Sequence, residues 1–107
     1  MKVLAPIAAV LSLPLLAAAA QAQDPVHHGR ALAKKFCAEC HAIGKTGKSP
    51  HEDAPPFRRL GQLIDLDNFP KRVMIHGLSS NHPDMPQFDM STRDAVALRN
   101  YLRTVQE

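Results

Sequence analysis

From Val3 to Ala20 the chain is almost continuously apolar, and beyond it the apolar positions fall into a helical rhythm interrupted by polar loops. The first stretch follows a positive start at Met1 and Lys2. It contains Pro6 and Pro14 and ends in Ala20-Gln21-Ala22, the small-x-small pattern of a signal cleavage site. Residues 1–22 are therefore expected to be a cleaved secretory signal peptide, with an uncleaved anchor as the competing reading. Nothing after Ala22 approaches the ~20 apolar residues of a spanning helix. Residues 23–107 are expected to form one domain.

Within that domain Asp24-Pro25 is a helix start, with Asp as N-cap and Pro at the first helical position. Gly29, Ala33, Phe36, Cys37 and Cys40 then recur on one helical face, and the helix is expected to stop near His41 to Gly44. Residues 44–53 carry no periodicity and read as an exposed loop. Ala54-Pro55-Pro56-Phe57 must be extended, because proline and the residue before it resist helix. A helical turn is expected around Arg58 to Leu63. Asp67 or Asn68 then caps a helix over Phe69–His76, which Gly77 ends. Residues 78–89 are loop. The last helix opens on Ser91-Thr92-Arg93-Asp94, which resembles a capping box, and presents Ala95, Leu98, Tyr101, Leu102 and Val105 as an apolar stripe. No run alternates like a strand, so the fold class is all-α.

Size sharpens this picture. Removing the signal leaves about 85 residues, a single small domain whose own core is marginal. The two cysteines, three positions apart, close too short a loop to act as a staple. Charge adds little: 13 Lys and Arg stand against 10 Asp and Glu, and Lys2 leaves with the signal. No aromatic-interleaved basic stripe points to nucleic acid.

Cys37-Ala38-Glu39-Cys40-His41 carries the chemistry. Two thiols on one side can add across the two vinyl groups of a haem, with the adjacent imidazole reaching the iron, and this pentapeptide is the signature of c-type haem attachment. A thioredoxin-like dithiol would need a strand–helix context that is missing, and a zinc site would need a second ligand pair. One covalent haem c per chain, bound through Cys37 and Cys40 with His41 as proximal iron ligand, also explains how a chain without Trp builds a core. For the distal position, Met85 lies in the proline-pinned run His82-Pro83-Asp84-Met85-Pro86 just ahead of the final helix. A thioether there would favour ferrous iron and raise the potential. His76 and His82 are its rivals. Met74 and Met90 read as core filler, Met90 as a hydrophobic staple.

The order Cys37-x-x-Cys40-His41, Ala54-Pro55, Met85-Pro86 and a terminal helix with Tyr101-Leu102 resembles a bacterial class I monohaem cytochrome c over nearly all of residues 23–107. The resemblance implies a small cytochrome c-like fold in which N- and C-terminal helices cross and short middle helices and loops wrap one haem. It implies that Gly29 sits at that crossing, opposite Leu98, Tyr101 and Leu102. It also implies that Pro55, or its neighbour Pro56, offers a carbonyl to the proximal imidazole. Ala33 departs from the aromatic residue often found in larger members, and Phe36 is the candidate substitute.

His27, His28 and His51 read as solvated. Lys34, Lys35, Lys45, Lys48, Arg58, Arg59, Lys71 and Arg72 read as surface, some of them forming a basic rim near the attachment motif that would steer acidic partners. With both axial positions filled the expected function is electron transfer, not catalysis. The expected protein is a monomeric periplasmic carrier between a dehydrogenase or bc-type complex and a terminal oxidase or reductase. The alternatives are a dedicated cytochrome subunit of a periplasmic oxidoreductase, and a ligand-binding sensor or peroxidase in which Met85 is labile.

Overall fold

The computed structural model describes residues 2–9, 24–78 and 83–107. The cleavage site at residues 20–22 and the rival ligand His82 lie outside them. Residues 2–9 have no regular secondary structure, and among the described residues no helix is long and apolar enough to cross a membrane. The elements are α1 (Asp24–Phe36), a 3-10 turn (Phe57–Arg59), α2 (Leu60–Leu63), α3 (Phe69–His76) and α4 (Thr92–Val105). No strand occurs among the described residues, and the chain is all-α as expected.

The α1–α4 crossing is the central contact. α1 buries Gly29, Leu32 and Ala33, with Ala33 at 0% exposure. A Cβ on Gly29 would fall 2.0 Å from the Ala97 carbonyl oxygen and 2.8 Å from the Tyr101 Cβ, so only hydrogen fits there. The nearest atoms across the crossing belong to Ala97 and Tyr101; Leu98 and Leu102 also line an interior hollow, each 1% exposed. Along α4 the expected stripe of Ala95, Leu98, Tyr101, Leu102 and Val105 is buried throughout.

α1 differs from expectation at its end. The Ala33 carbonyl accepts from both Cys37 N (2.9 Å) and Ala38 N (3.0 Å), so the helical register widens and residues 37–40 continue as turns. Regular helix therefore stops at Phe36, short of His41. As the last helical residue, Phe36 leaves the buried face at 38% exposure and packs on Phe88, ring centroids 5.7 Å apart. Leu32 takes its place in the core.

α3 begins and ends where Pro70 and Gly77 (φ +73°) dictate, although Asn68 makes no side-chain cap and Asp67 pairs with Arg103. Met74 is not core filler: it is 50% exposed, because α3 buries only Phe69, Pro70 and Val73. Met90 does pack against the core. At the start of α4, Ser91 Oγ accepts from Asp94 N at 3.1 Å, half of a capping box. The Asp94 carboxylate turns away to accept from His28 Nε2 at 2.7 Å, so His28 is partnered and not simply solvated. Beyond α4, Gln106 Nε2 donates to the Phe57 and Leu102 carbonyls while its Oε1 accepts from Gly61 N, and Glu107 N donates to the Arg58 carbonyl.

Gly29→Ala should lower stability by about 1–3 kcal/mol, since overpacking against a backbone carbonyl outweighs the ~1 kcal/mol gain in helix propensity. The thermal midpoint of the holoprotein should fall by roughly 5–20 °C for a domain of this size. An unchanged midpoint would refute the close approach.

Candidate cofactor site

Loops bring the attachment turn and the Met85 segment around a hollow interior. Two adjoining hollows, with empty volumes of about 690 and 940 Å³ including open solvent, share Cys37, His41, Pro55 and Met85 in their walls. The larger is walled mainly by apolar side chains of every helix but α1, among them Leu60, Leu63, Phe69, Val73, Leu98 and Leu102.

Cys37 is buried and Cys40 half-buried, both as free thiols on the smaller hollow. Burial, with Cys40 nearby as a lesser cause, pushes the Cys37 thiol up to about 11. It is therefore a neutral thiol at neutral pH, the opposite of the lowered pKa that marks redox dithiols and metal thiolates. His41 Nδ1 donates to the Pro55 carbonyl at 2.7 Å. A carbonyl can only accept, so the proton is on Nδ1, and in the neutral ring Nε2 keeps a lone pair available to a metal. Of the two adjacent prolines it is Pro55 whose carbonyl makes this bond. Its segment is held by Phe57 N donating to the Ala42 carbonyl at 2.8 Å, and the Phe57 ring lies 5.3 Å from the His41 ring.

Met85 lines both hollows. His76 lines neither and is exposed, its carbonyl taken by Gln87 Nε2 at 3.0 Å. The residues present fit a haem: two thiols, one imidazole with a fixed proton, one thioether, and apolar walls. The charged side chains lining the smaller hollow are Glu39, Asp53 and Asp84, with no Lys or Arg among them; Arg72 lines the larger.

Periodicity carried no sign of Ser49. It lies in the loop read as exposed, yet it is 8% exposed, and its Oγ accepts from Ala42 N at 3.0 Å, next to His41. Tyr101 Oη likewise donates to the Ile43 carbonyl at 2.7 Å, fixing the other end of the same stretch to α4. His51, also expected in solvent, is half-buried on the smaller hollow. The only sequence trace of these roles is a polar side chain near the motif, which many solvated residues share.

A family model described as Cytochrome c matches residues 26–106. The chain is 29% identical over 100 residues to a cytochrome c-552 of Bradyrhizobium diazoefficiens, an alignment that covers 94% of this chain and 92% of that one. No solved structure matches.

Ser49→Ala should destabilise the holoprotein by about 1–2 kcal/mol, because it leaves the Ala42 N–H without its acceptor. Thr46→Ala, at an exposed position of the same loop, should stay within about 0.5 kcal/mol of wild type. Equal denaturant midpoints for the two variants would remove Ser49 from the support of His41.

Proposed function

The chain belongs to the cytochrome c family, whose members carry electrons on a covalently bound haem, and on that premise we propose a periplasmic carrier of one electron with His41 and Met85 as axial iron ligands. The observation that supports this reading best is that Cys37, Cys40, His41 and Met85 line one hollow, with the His41 ring already oriented by Pro55. Cys37 and Cys40 would hold the haem through thioether bonds. When bound, the haem supplies an iron that alternates between ferrous and ferric states, and this is the whole of the redox chemistry.

The remaining work belongs to the protein. The Pro55 carbonyl fixes the tautomer of His41 and increases its basicity. Met85 offers a soft, neutral sulfur that favours the ferrous form and so raises the potential. The apolar walls given by Leu60, Phe69, Val73, Leu98 and Leu102 keep water from the cavity, which disfavours the more charged oxidised state. His41 and Met85 together would leave substrate no position at the metal, which favours transfer over catalysis.

Residues 1–22 would act as the export signal and residues 23–107 as the working domain, a monomer that meets its donor and acceptor by diffusion. Exposed Lys34 and Lys35 on α1 would supply part of a basic rim that steers an acidic partner.

Met85→Ala in the holoprotein should abolish the far-red sulfur-to-ferric-iron absorption band and let the reduced protein bind CO rapidly. The native protein should show the band and bind CO slowly. Survival of the band in the variant would overturn the Met85 assignment, and rapid CO binding by the native protein would overturn the carrier reading.

A further inference from the structure

His51 stands where the two sides of the cavity meet. Its backbone N–H donates to the Cys40 carbonyl at 3.1 Å, which anchors it to the turn immediately before His41. Its ring Nδ1 accepts from Asp53 N at 3.2 Å. A ring nitrogen that accepts carries no proton, so in the neutral imidazole Nε2 is the N–H. That Nε2 lies 3.3 Å from an Asp84 carboxylate oxygen, a donor–acceptor pair that requires no charge on the ring. One polar side-chain atom from each of His51, Asp53 and Asp84 lies within 4.8 Å of the other two. Asp84 directly precedes Met85, and His51, Asp84 and Met85 line the same hollow.

The Met85 segment has no helix to hold it. Its far end is tied down by Gln87 Nε2 on the His76 carbonyl, by the Phe88 carbonyl accepting from Leu78 N at 3.0 Å, and by the Phe88 ring on Phe36. Those ties fix residues 87 and 88 but leave the approach to Met85 open on the other side, where Asp84 meets His51. Met85 and the stiff Pro86 are therefore bracketed between two sets of contacts. One set leads to α3, and the other leads through His51 to the attachment turn.

Resting on the reading of Met85 as the distal ligand, we propose that His51 is a positioning residue, a clasp across the cavity mouth that ties the His41 segment to the Met85 segment and keeps the thioether in place. A neutral sulfur is a weak partner for iron, so how long it stays depends on how firmly its loop is held. His51 and Asp84 are 34% and 61% exposed in their side chains, so water competes for this contact and its loss loosens the loop without releasing it.

His51→Ala in the holoprotein keeps the backbone bond to Cys40 and deletes the ring contacts to Asp53 N and Asp84. Amides 84, 85, 87 and 88 should then exchange hydrogen faster. Cyanide should bind the ferric protein about three- to ten-fold faster, the size expected for one partly exposed hydrogen bond. His51→Gln, whose amide still donates toward Asp84, should recover most of the wild-type rate. The double variant His51→Ala/Asp84→Ala should be slower than strict additivity of the two single variants requires, since the contact that they share can be lost only once. Wild-type loop exchange and cyanide binding in His51→Ala would overturn the clasp, as would strict additivity of the two substitutions. Met85→Ala separates the two ideas. If it leaves cyanide binding as slow as wild type, the ligand assignment fails, while exchange at residues 84–88 still judges the clasp.

Discussion

At Gly29 two helix backbones approach so closely that the Ala97 carbonyl occupies the place of a side chain. Much of the remaining architecture hangs from that approach. Because α1 is pressed onto α4 there, its unwinding end delivers Cys37 beside Leu98 and Leu102, in the wall of the larger hollow. α4 also reaches outward in two further directions. Tyr101 holds Ile43, just past His41, and Gln106 holds Phe57, whose ring lies against the His41 ring. One helix thus sets the position of the attachment turn from behind, while the segments that close the cavity are hung from it by single hydrogen bonds.

Those segments show how a short chain surrounds a volume it cannot fill. The stretches 37–57 and 83–90 have almost no regular secondary structure, and their buried polar groups cannot be satisfied by helix ladders. Side chains take over that task. Ser49 covers Ala42 N, His41 covers the Pro55 carbonyl, and Gln87 covers the His76 carbonyl at the end of α3. Each contact is modest on its own, about 1 kcal/mol net. Their common effect is to turn flexible backbone into a shell whose inner surface is apolar.

What could be read in the chain beforehand follows the range of the interactions. The buried stripe of α4 and the limits of α3 were legible because helical period, Pro70 and Gly77 act locally. Cys37, Cys40, His41, Pro55 and Met85 could be singled out because their neighbours in sequence mark them, and they do share one hollow. Contacts made across the chain left no such trace. His28 meets Asp94 from 66 positions away, and Ser49 is buried with its Oγ accepting from Ala42 N. Phe36 fits the apolar face of α1 by spacing, yet the helix ends there and Leu32 fills the core. Met74 has apolar neighbours in α3 but is half exposed.

The Gly29–Ala97 contact also has a bearing on timing. Its two halves are separated by most of the domain, so α1 has no surface to pack against until α4 has been made. Topologies dominated by such distant pairings fold slowly, because the loop must close before the contact repays it. During synthesis the segment holding Cys37 and Cys40 emerges well before the helix that will bury it. For that interval both thiols stay within reach of outside chemistry, and the order in which the chain appears provides an access that the finished fold withdraws from Cys37 and narrows at Cys40.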